Sequence, residues 1–409
     1  MNPKCRGYRL ILTLVWLLAS TGCGMLPLGT NSLANTPKQL QPKQIIVTLS
    51  ENNRRHWLAI DYELRKKYAL QWTGEFPLTS IRVNCLVYRV PETLAVDELI
   101  HRLGADKRIQ LVQANQVFAG LQGGESDAYA GLSYGPQTIH ADAAHKISTG
   151  KGVAITIIDT GADKNHPDLK GRIGQIRNFV EGGEESFSED LHGTAVAGII
   201  AARANDGLGI YGIAPEADIA QYKACWYILH SDDKALCSSW TLAKALDAAI
   251  TSGSRIINLS LSGPADKLLQ QLLEAAHQRH IVLIAAATEG GEPGFPAILD
   301  FIVPVLASGP DGKTTLPSWA ANRHPLIAPG IEILTTTPRE GYDFLSGSSM
   351  AAAHVSGTVA LLLQYQPQLK PGQIQGVLQA TSQASALGGA KVIDACRALL
   401  ALGAKVACP

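Results

Sequence analysis

The chain has 409 residues, and 46% of them are hydrophobic, so a large core can be buried. Charged residues make up only 17%, which argues against a disordered chain or a coiled coil. The 35 basic and 35 acidic side chains cancel and no long basic run occurs, which excludes an ordinary nucleic-acid-binding protein. The length predicts two or three domains, at roughly 150 residues each.

The first 23 residues have the composition of an export signal. Lys4, Arg6 and Arg9 precede an apolar run over 10–18, and small residues follow it. The run is too short for a membrane-spanning helix, so it predicts a secretory signal peptide. Cys23 resembles the lipid-carrying cysteine of bacterial lipoproteins, which would anchor the protein to a membrane; the alternative is ordinary cleavage nearby. We expect an exported protein that is periplasmic, a cell-envelope lipoprotein or secreted.

Five cysteines follow this region, and export permits disulfide bonds. Cys225 lies close to Cys237 along the chain, and Cys396 lies close to Cys408. Each bond would close a short loop and contribute about 2–4 kcal/mol where the geometry allows it. Cys85 is then left over. Other connectivities are possible, so this pairing is an expectation.

Residues 24–43 lack periodicity and are predicted to be a linker, whereas 44–118 predicts four strands and two helices. The predicted strands are 44–49, a pair within 71–90, and 109–118; the predicted helices are 54–69 and 93–103. This β-α-β-β-α-β order predicts a small ferredoxin-like α+β plait. A second linker is predicted over 120–131.

The remaining chain alternates buried-type strands with helices. Strands are predicted at 153–159, 219–223, 255–261, 281–287 and 301–306, with helices such as 241–252 and 267–279 between them. This alternation predicts an α/β domain with a mainly parallel sheet flanked by helices. In such sheets, sites gather at the carboxyl ends of the strands.

Three polar residues stand in motifs that suit nucleophilic catalysis. Asp159 ends a predicted strand, His192 opens a predicted helix, and Ser349 lies at the start of another, where backbone N–H groups can meet an oxyanion. A serine nucleophile needs an adjacent base that a third group orients. Each residue alone has an ordinary alternative: a turn carboxylate, a packed histidine and a helix cap.

Together, in the order Asp, His, Ser, these motifs resemble those of the subtilisin-like serine proteases. The resemblance covers about residues 126–395 and is carried by 158–161, 165–169, 192–194, 196–198 and 347–355, with further matches in 257–264, 295–297 and 328–330. It implies a subtilisin-like fold and an endopeptidase that acts on protein or peptide substrates.

The resemblance implies a role for each of the three residues. Asp159 would hold the His192 imidazole in the required tautomer, and His192 would take the Ser349 proton and return it to the leaving amine. Ser349 would attack the scissile carbonyl and form an acyl-enzyme. This chemistry requires no cofactor, and we expect a monomer.

The family's substrate cleft maps onto two stretches of this chain. One would pair with the substrate backbone and form a wall of the first specificity pocket; the other would supply the facing wall and the floor. The residues expected to bind substrate are Ser260, Leu261, Ser262, Gly263, Ala286 and Gly294. A glycine-lined pocket without an evident charge suggests large apolar substrate side chains.

One departure from the family concerns the oxyanion hole. Beside the backbone N–H of Ser349, the family uses an asparagine where this chain has Thr288. A threonine hydroxyl donates one hydrogen bond but is shorter than an amide, and losing one oxyanion donor costs roughly 3–4 kcal/mol. The alternative function is therefore a catalytically weak or inactive subtilisin-like binding protein.

The plait resembles the inhibitor propeptide of this family, and 112–117 resembles its last strand. We expect cleavage between Gly120 and Ala130, which divides the chain into a signal peptide (1–23), a linker with propeptide (24–125) and a catalytic domain (126–409). Residues 24–120 hold 12 basic and 8 acidic side chains, whereas 121–409 hold 20 and 27, so opposite charges would favour docking. The alternative is a permanent accessory domain.

Asp168 and Asp206 match positions where the family often holds a structural calcium ion. Carbonyl oxygens of Ala204, Leu208 and Ile210 would complete the site, since calcium prefers oxygen ligands. A glutamine ligand of the family corresponds to Ala130, so one ligand is missing. The alternative is an ordinary Asn-Asp-Gly turn.

Overall fold

The computed structural model describes residues 43–120, 133–182, 186–204, 209–228, 235–384 and 390–409. The predicted export signal with Cys23, the segment after Gly120 that is expected to be cleaved, and Asp206 lie outside these residues. Within the described ranges, no helix combines the length and apolarity needed to cross a bilayer.

The first described segment is a four-stranded antiparallel sheet with two helices, which we call the plait. Its elements are β1 (Gln44–Ser50), α1 (Trp57–Tyr68), β2 (Gln71–Leu78), β3 (Val83–Arg89), α2 (Val96–Gly104) and β4 (Leu111–Ala114). The strand order is β2-β3-β1-β4. Each neighbouring pair is antiparallel. The element order is the one that the periodicity indicates.

The two faces of the plait's sheet are buried against different partners. On one face, Ile45 and Val47 pack with Ile60 of α1 and Leu99 of α2. On the other face, residues such as Phe76, Val83, Cys85 and Val87 belong to the core of the rest of the chain. Successive residues of a strand point to opposite faces, so one apolar run supplies both. The plait therefore packs onto the following part of the chain.

The prediction of one final plait strand over 109–118 is wrong. β4 ends at Ala114, and a separate strand, β5 (Val117–Gly120), pairs in another sheet. Between them, the Asn115 Oδ1 accepts from the Trp240 N–H at 3.1 Å, and the Gln116 carbonyl accepts from the Ser239 N–H at 2.7 Å. These bonds to a helix start hold the chain where it leaves the plait.

The rest of the described chain contains a seven-stranded parallel sheet flanked by helices, with strand order β15-β14-β13-β11-β6-β8-β7. The predicted α/β class is therefore confirmed. The elements are α3 (Tyr134–Thr138), α4 (Ala141–His145), β6 (Ala154–Asp159), β7 (Ile173–Asn178), α5 (Leu191–Ala201), β8 (Asp218–Lys223), β9 (Cys225–Tyr227), β10 (Ala235–Ser238), α6 (Ser239–Thr251), β11 (Ile256–Leu259), β12 (Leu261–Ser262), α7 (Lys267–Gln278), β13 (Val282–Ala286), β14 (Val303–Ser308), α8 (Ala320–Arg323), β15 (Leu326–Pro329), β16 (Ile333–Thr337), β17 (Gly341–Leu345), α9 (Ser348–Tyr365), α10 (Pro371–Thr381), β18 (Gln383–Ala384), β19 (Lys391–Val392) and α11 (Ala395–Ala401).

A smaller sheet, β12-β5-β10-β9, lies beyond the carboxyl end of β11. β5 runs antiparallel between β10 and β12, with Phe118 opposite Cys237 and Gly120 opposite Leu261. The chain that leaves the plait therefore fills the space between the two strands, and its backbone is paired on both sides.

Both expected cysteine pairs are bonded in the structure. The Cys225–Cys237 bond joins β9 to β10, whose two cysteines lie opposite each other in the ladder. The Cys396–Cys408 bond ties α11 to the segment that follows it. Cys85 is a free cysteine, buried on the plait face that meets the rest of the chain.

Candidate active site

Asp159 and His192 meet at the carboxyl edge of the main sheet. The Asp159 Oδ1 lies 2.7 Å from the His192 Nδ1 and also accepts from the Thr160 N–H at 2.7 Å. Because a carboxylate faces Nδ1, that nitrogen carries the proton and Nε2 is left as the basic nitrogen. The Nε2 atom is buried and has no hydrogen-bond partner among the described residues.

Two glycines allow this close approach. A Cβ added to Gly193 would lie 2.2 Å from the Gly161 carbonyl oxygen and 2.8 Å from that of Thr160. A Cβ added to Gly161 would lie 2.2 Å from the Phe187 carbonyl oxygen. Neither site holds a side chain without backbone movement, since these contacts are with main-chain atoms. The glycines of the 158–161 and 192–194 motifs are thus required by packing.

Ser349 is the second residue of α9 and lies at the same edge of the sheet. Its hydroxyl donates to the carbonyl oxygen of Ser260 at 3.2 Å. Ser260 directly follows β11, the parallel neighbour of β6, which ends in Asp159. The predicted nucleophile, the strand end that carries Asp159 and the predicted substrate strand therefore converge.

Thr288 lies in the loop after β13. Its N–H donates to the Pro293 carbonyl at 3.1 Å, and its hydroxyl faces the carbonyl oxygens of Gly290, at 3.1 Å, and Glu292. A hydroxyl has a single proton to donate. In this conformation the hydroxyl proton is used within the loop and is not available to a further acceptor.

The residues predicted to form the walls and the floor of the specificity pocket lie close together in the structure. The Gly263 and Phe295 backbones pair through bonds of 2.9 and 3.1 Å. A Cβ added to Gly294 would lie 2.1 Å from the Ser262 Oγ, so the expected floor abuts the expected wall. Ala286 is fully buried at the end of β13. Leu261 pairs with β5, which occupies the edge expected for substrate.

The surroundings of the Asp168 carboxylate are suitable for a calcium ligand. It is fully buried, its Oδ2 accepts from the Ile210 N–H at 2.9 Å, and its Oδ1 has no hydrogen-bond partner among the described residues. A buried carboxylate oxygen without a donor is costly unless a cation neutralises it. In the described ranges no group of three His, Cys, Asp or Glu side chains forms a metal site.

Three residues near His192 are not indicated by the sequence motifs. The Tyr227 hydroxyl accepts from the His192 N–H at 2.9 Å, and the Lys223 ammonium forms a buried ion pair with Asp190. Burial raises the pKa of the Asp190 carboxyl, and Lys223 opposes that rise. The available signal is a lysine at the end of a predicted buried strand and a carboxylate two residues before the histidine.

Comparison with known proteins places this site in a family. Residues 150–395, more than half of the chain, match the model of the subtilase family, Peptidase_S8. Thermitase of Thermoactinomyces vulgaris is 34% identical over 238 residues, which are 57% of this chain and 83% of thermitase. An intracellular serine protease of Paenibacillus polymyxa is 37% identical over 242 residues, covering 56% of this chain and 72% of that protein.

The fold comparison agrees. Fervidolysin from Fervidobacterium pennivorans, a keratinolytic enzyme related to subtilisin, superposes with a TM-score of 0.65 at 22% identity. The match covers 88% of this chain and 61% of the fervidolysin chain. At this identity the likeness concerns the fold. The resemblance read from the motifs is confirmed, and the chain belongs to the subtilase family of serine endopeptidases.

Proposed function

We propose that this endopeptidase works through Asp159, His192 and Ser349. The observation that carries the proposal is the 2.7 Å Asp159–His192 bond, which leaves the buried Nε2 atom without a partner at the edge where Ser349 lies. In that geometry Nε2 can accept the Ser349 proton as the hydroxyl attacks a peptide carbonyl. The protonated imidazole then donates to the leaving amine, and water hydrolyses the acyl-enzyme by the same route.

Stabilisation of the tetrahedral intermediate would come mainly from the start of α9. Ser349 lies in the first turn of this 18-residue helix, where backbone N–H groups and the helix dipole favour negative charge. Thr288 would add little while its hydroxyl is used within its own loop. Because the backbone N–H groups would act without a full side-chain donor, we expect an active but slow enzyme.

The plait would act as an inhibitor propeptide of the same chain. Its tail, β5, pairs with β10 and β12 as an extended substrate would. Its β2–β3 turn is held by Asp247 of α6, whose carboxylate accepts from the Thr79 N–H at 3.2 Å and the Ser80 N–H at 2.7 Å. The Phe76 ring stacks on Trp240 with centroids 6.1 Å apart. Cleavage after β5 would release this unit.

Export and calcium binding complete the proposal. The two disulfide bonds suit an oxidising compartment, in agreement with a signal peptide over 1–23. Asp168 would supply one carboxylate ligand to a structural calcium ion, with Asp206 as the second. The ion would stabilise the fold around Asp168 and take no part in the reaction.

A labelling experiment tests the catalytic proposal. A fluorophosphonate probe should modify the processed protein at Ser349, whereas Ser349→Ala should stay unlabelled and keep residues 43–120 attached. Absence of labelling in processed wild-type protein would overturn the proposal. Loss of the plait from Ser349→Ala in a protease-deficient host would show that Ser349 does not perform the processing.

The engaged Thr288 hydroxyl specifically favours one other function, a binding protein with very slow turnover. Such a protein would still label at Ser349 but would release less than one product per labelled site during the assay. A burst measurement with a chromogenic peptide separates the two functions, because an enzyme continues linearly after the first turnover.

A further inference from the structure

A buried ion pair lies behind the Asp159–His192 couple. Lys223 ends β8 and is in register with Asp159 of the neighbouring strand β6. Its ammonium donates to the Asp190 carboxylate and, at 2.8 Å, to the Ser186 hydroxyl. Lys223 is 1% exposed and Asp190 is 3% exposed. Burying two charges gives little net stability, so their location needs another explanation.

Asp190 connects this pair to both members of the couple. The Asp190 Oδ2 accepts from the Gly161 N–H at 2.7 Å, which fixes the turn directly after Asp159. Asp190 is also the residue that precedes α5, and His192 stands in the first turn of that helix. One carboxylate therefore contacts Lys223, the Asp159 turn and the start of the helix that carries the imidazole.

Two carboxylates, Asp159 and Asp190, and one ammonium, Lys223, lie around the turn. Asp159 and Asp190 are close enough that the charge of Asp159 contributes to the raised pKa of Asp190, after the larger effect of burial. Lys223 opposes the raised pKa of Asp190, so removing the ammonium would disfavour the charged form of that carboxyl. Without Asp190, the ammonium would lose its carboxylate partner, and its partner in register, Asp159, has an Oδ2 atom without a hydrogen-bond partner among the described residues.

We propose that Lys223 and Asp190 form a positioning pair for the triad. Lys223 supplies the counter-charge to the Asp190 carboxylate, and Asp190 holds that cation away from Asp159 so that Asp159 remains the acceptor for His192. The inference rests on the proposed triad function. Neither residue touches the reacting atoms, so both act through Asp159 and His192.

The test is the pH dependence of kcat/KM, because a merely structural pair would leave it unchanged. The ionisable groups on the described elements around the imidazole are Asp159 on β6, Asp163 beside Thr194 of α5, Asp190 before α5, Lys223 on β8, Tyr227 on β9 and His354 on α9, which packs against α5. Only active molecules are compared, by normalising each rate to fluorophosphonate-labelled sites.

Asp190→Asn leaves the ammonium without its carboxylate and keeps an acceptor for the Gly161 N–H. The added positive field disfavours the imidazolium, so the acid limb of kcat/KM should move to lower pH by about 0.5 unit or more. The ammonium also competes for Asp159, so kcat should fall about tenfold. Asp190→Asn combined with Lys223→Met removes both charges and should return the acid limb to the wild-type position.

Ser186 provides a second route if Asp190→Asn fails to fold. Ser186 is exposed and contacts the Lys223 ammonium, so an additional carboxylate is tolerated there. Ser186→Asp should move the acid limb to higher pH by about 0.3 unit, whereas the neutral Ser186→Ala should not move it.

Three results would overturn the pair's role: an unshifted limb in Asp190→Asn, a shift that persists in the double variant, or an unshifted limb in Ser186→Asp. Wild-type protein that takes no fluorophosphonate label would instead overturn the triad itself, so the two failures are distinguishable.

Discussion

Thr288 stands where the family uses an asparagine in the proposed oxyanion hole. An asparagine amide reaches farther than a hydroxyl and keeps a second donor for the loop. Thr288→Asn should therefore raise kcat by about 10- to 100-fold with KM nearly unchanged, measured on a chromogenic peptide. Thr288→Ala should lower kcat less than threefold, because the loop uses the hydroxyl proton. A 100-fold loss in Thr288→Ala would show that the hydroxyl does reach the oxyanion.

His354 links the stability of α9 to pH. It is fully buried, its Nδ1 lies 2.9 Å from the Met350 carbonyl, and burial lowers its pKa to about 4. The unfolded chain binds a proton near pH 6.5, so the folded state is favoured above that pH and loses stability as pH falls toward 4. Between pH 7 and 4.5 this residue should cost about 2–3 kcal/mol.

His354→Gln in the Ser349→Ala precursor isolates this effect. Its unfolding midpoint should fall less between pH 7 and 4.5 than that of the His354 precursor, as measured by thermal unfolding. The exposed His101 provides the matched control, since His101→Gln should leave the pH dependence unchanged. Equal pH dependence in all three proteins would rule out His354 as the cause.

At the scale of elements, the two disulfide bonds should have separable effects. Both join cysteines 12 residues apart, but only Cys225–Cys237 fixes β10, the strand that pairs with β5. Replacing Cys225 and Cys237 by serine should raise KM about tenfold for a tetrapeptide substrate and have little effect on a single-residue ester. Replacing Cys396 and Cys408 should lower the unfolding midpoint only. Equal KM values in the two variants would contradict this assignment.

The elements also show what could be predicted from the sequence. β6, β11 and β13 are mostly apolar and almost fully buried, a pattern that parallel strands share, so the local sequence identifies them. β7 was missed because its residues are mostly exposed at the edge of the sheet. The division between β4 and β5 depends on bonds to residues more than 120 positions away, and local periodicity carries no such information.

In the candidate site, too, contacts between residues far apart in the sequence could not be predicted. The Asp159, His192 and Ser349 motifs were recognisable because each combines small residues with one reactive side chain at an element boundary. Lys223 and Asp190 are 33 residues apart, and nothing local indicates that their side chains meet. The use of the Thr288 hydroxyl within its loop likewise depends on how the loop folds back.

At the scale of the whole molecule, calcium binding would raise the thermal unfolding midpoint. Loss of an ion held at Asp168 should lower the unfolding midpoint by about 5–10 °C when EDTA replaces millimolar calcium. Asp168→Asn should have a midpoint that no longer responds to EDTA. Identical midpoints for wild-type protein with and without calcium would reject the calcium site, while the catalytic proposal would stand.

The buried Cys85 thiol can report whether the plait stays packed on the rest of the chain. The thiol faces the rest of the chain from β3, and burial raises its pKa well above the usual range, so it is doubly protected from alkylation. Separation of the plait would uncover this sulfur. The fraction of Cys85 that reacts with a thiol reagent at successive times would therefore measure how much plait has dissociated. Comparison with the fraction of cleaved chain would separate cleavage from dissociation.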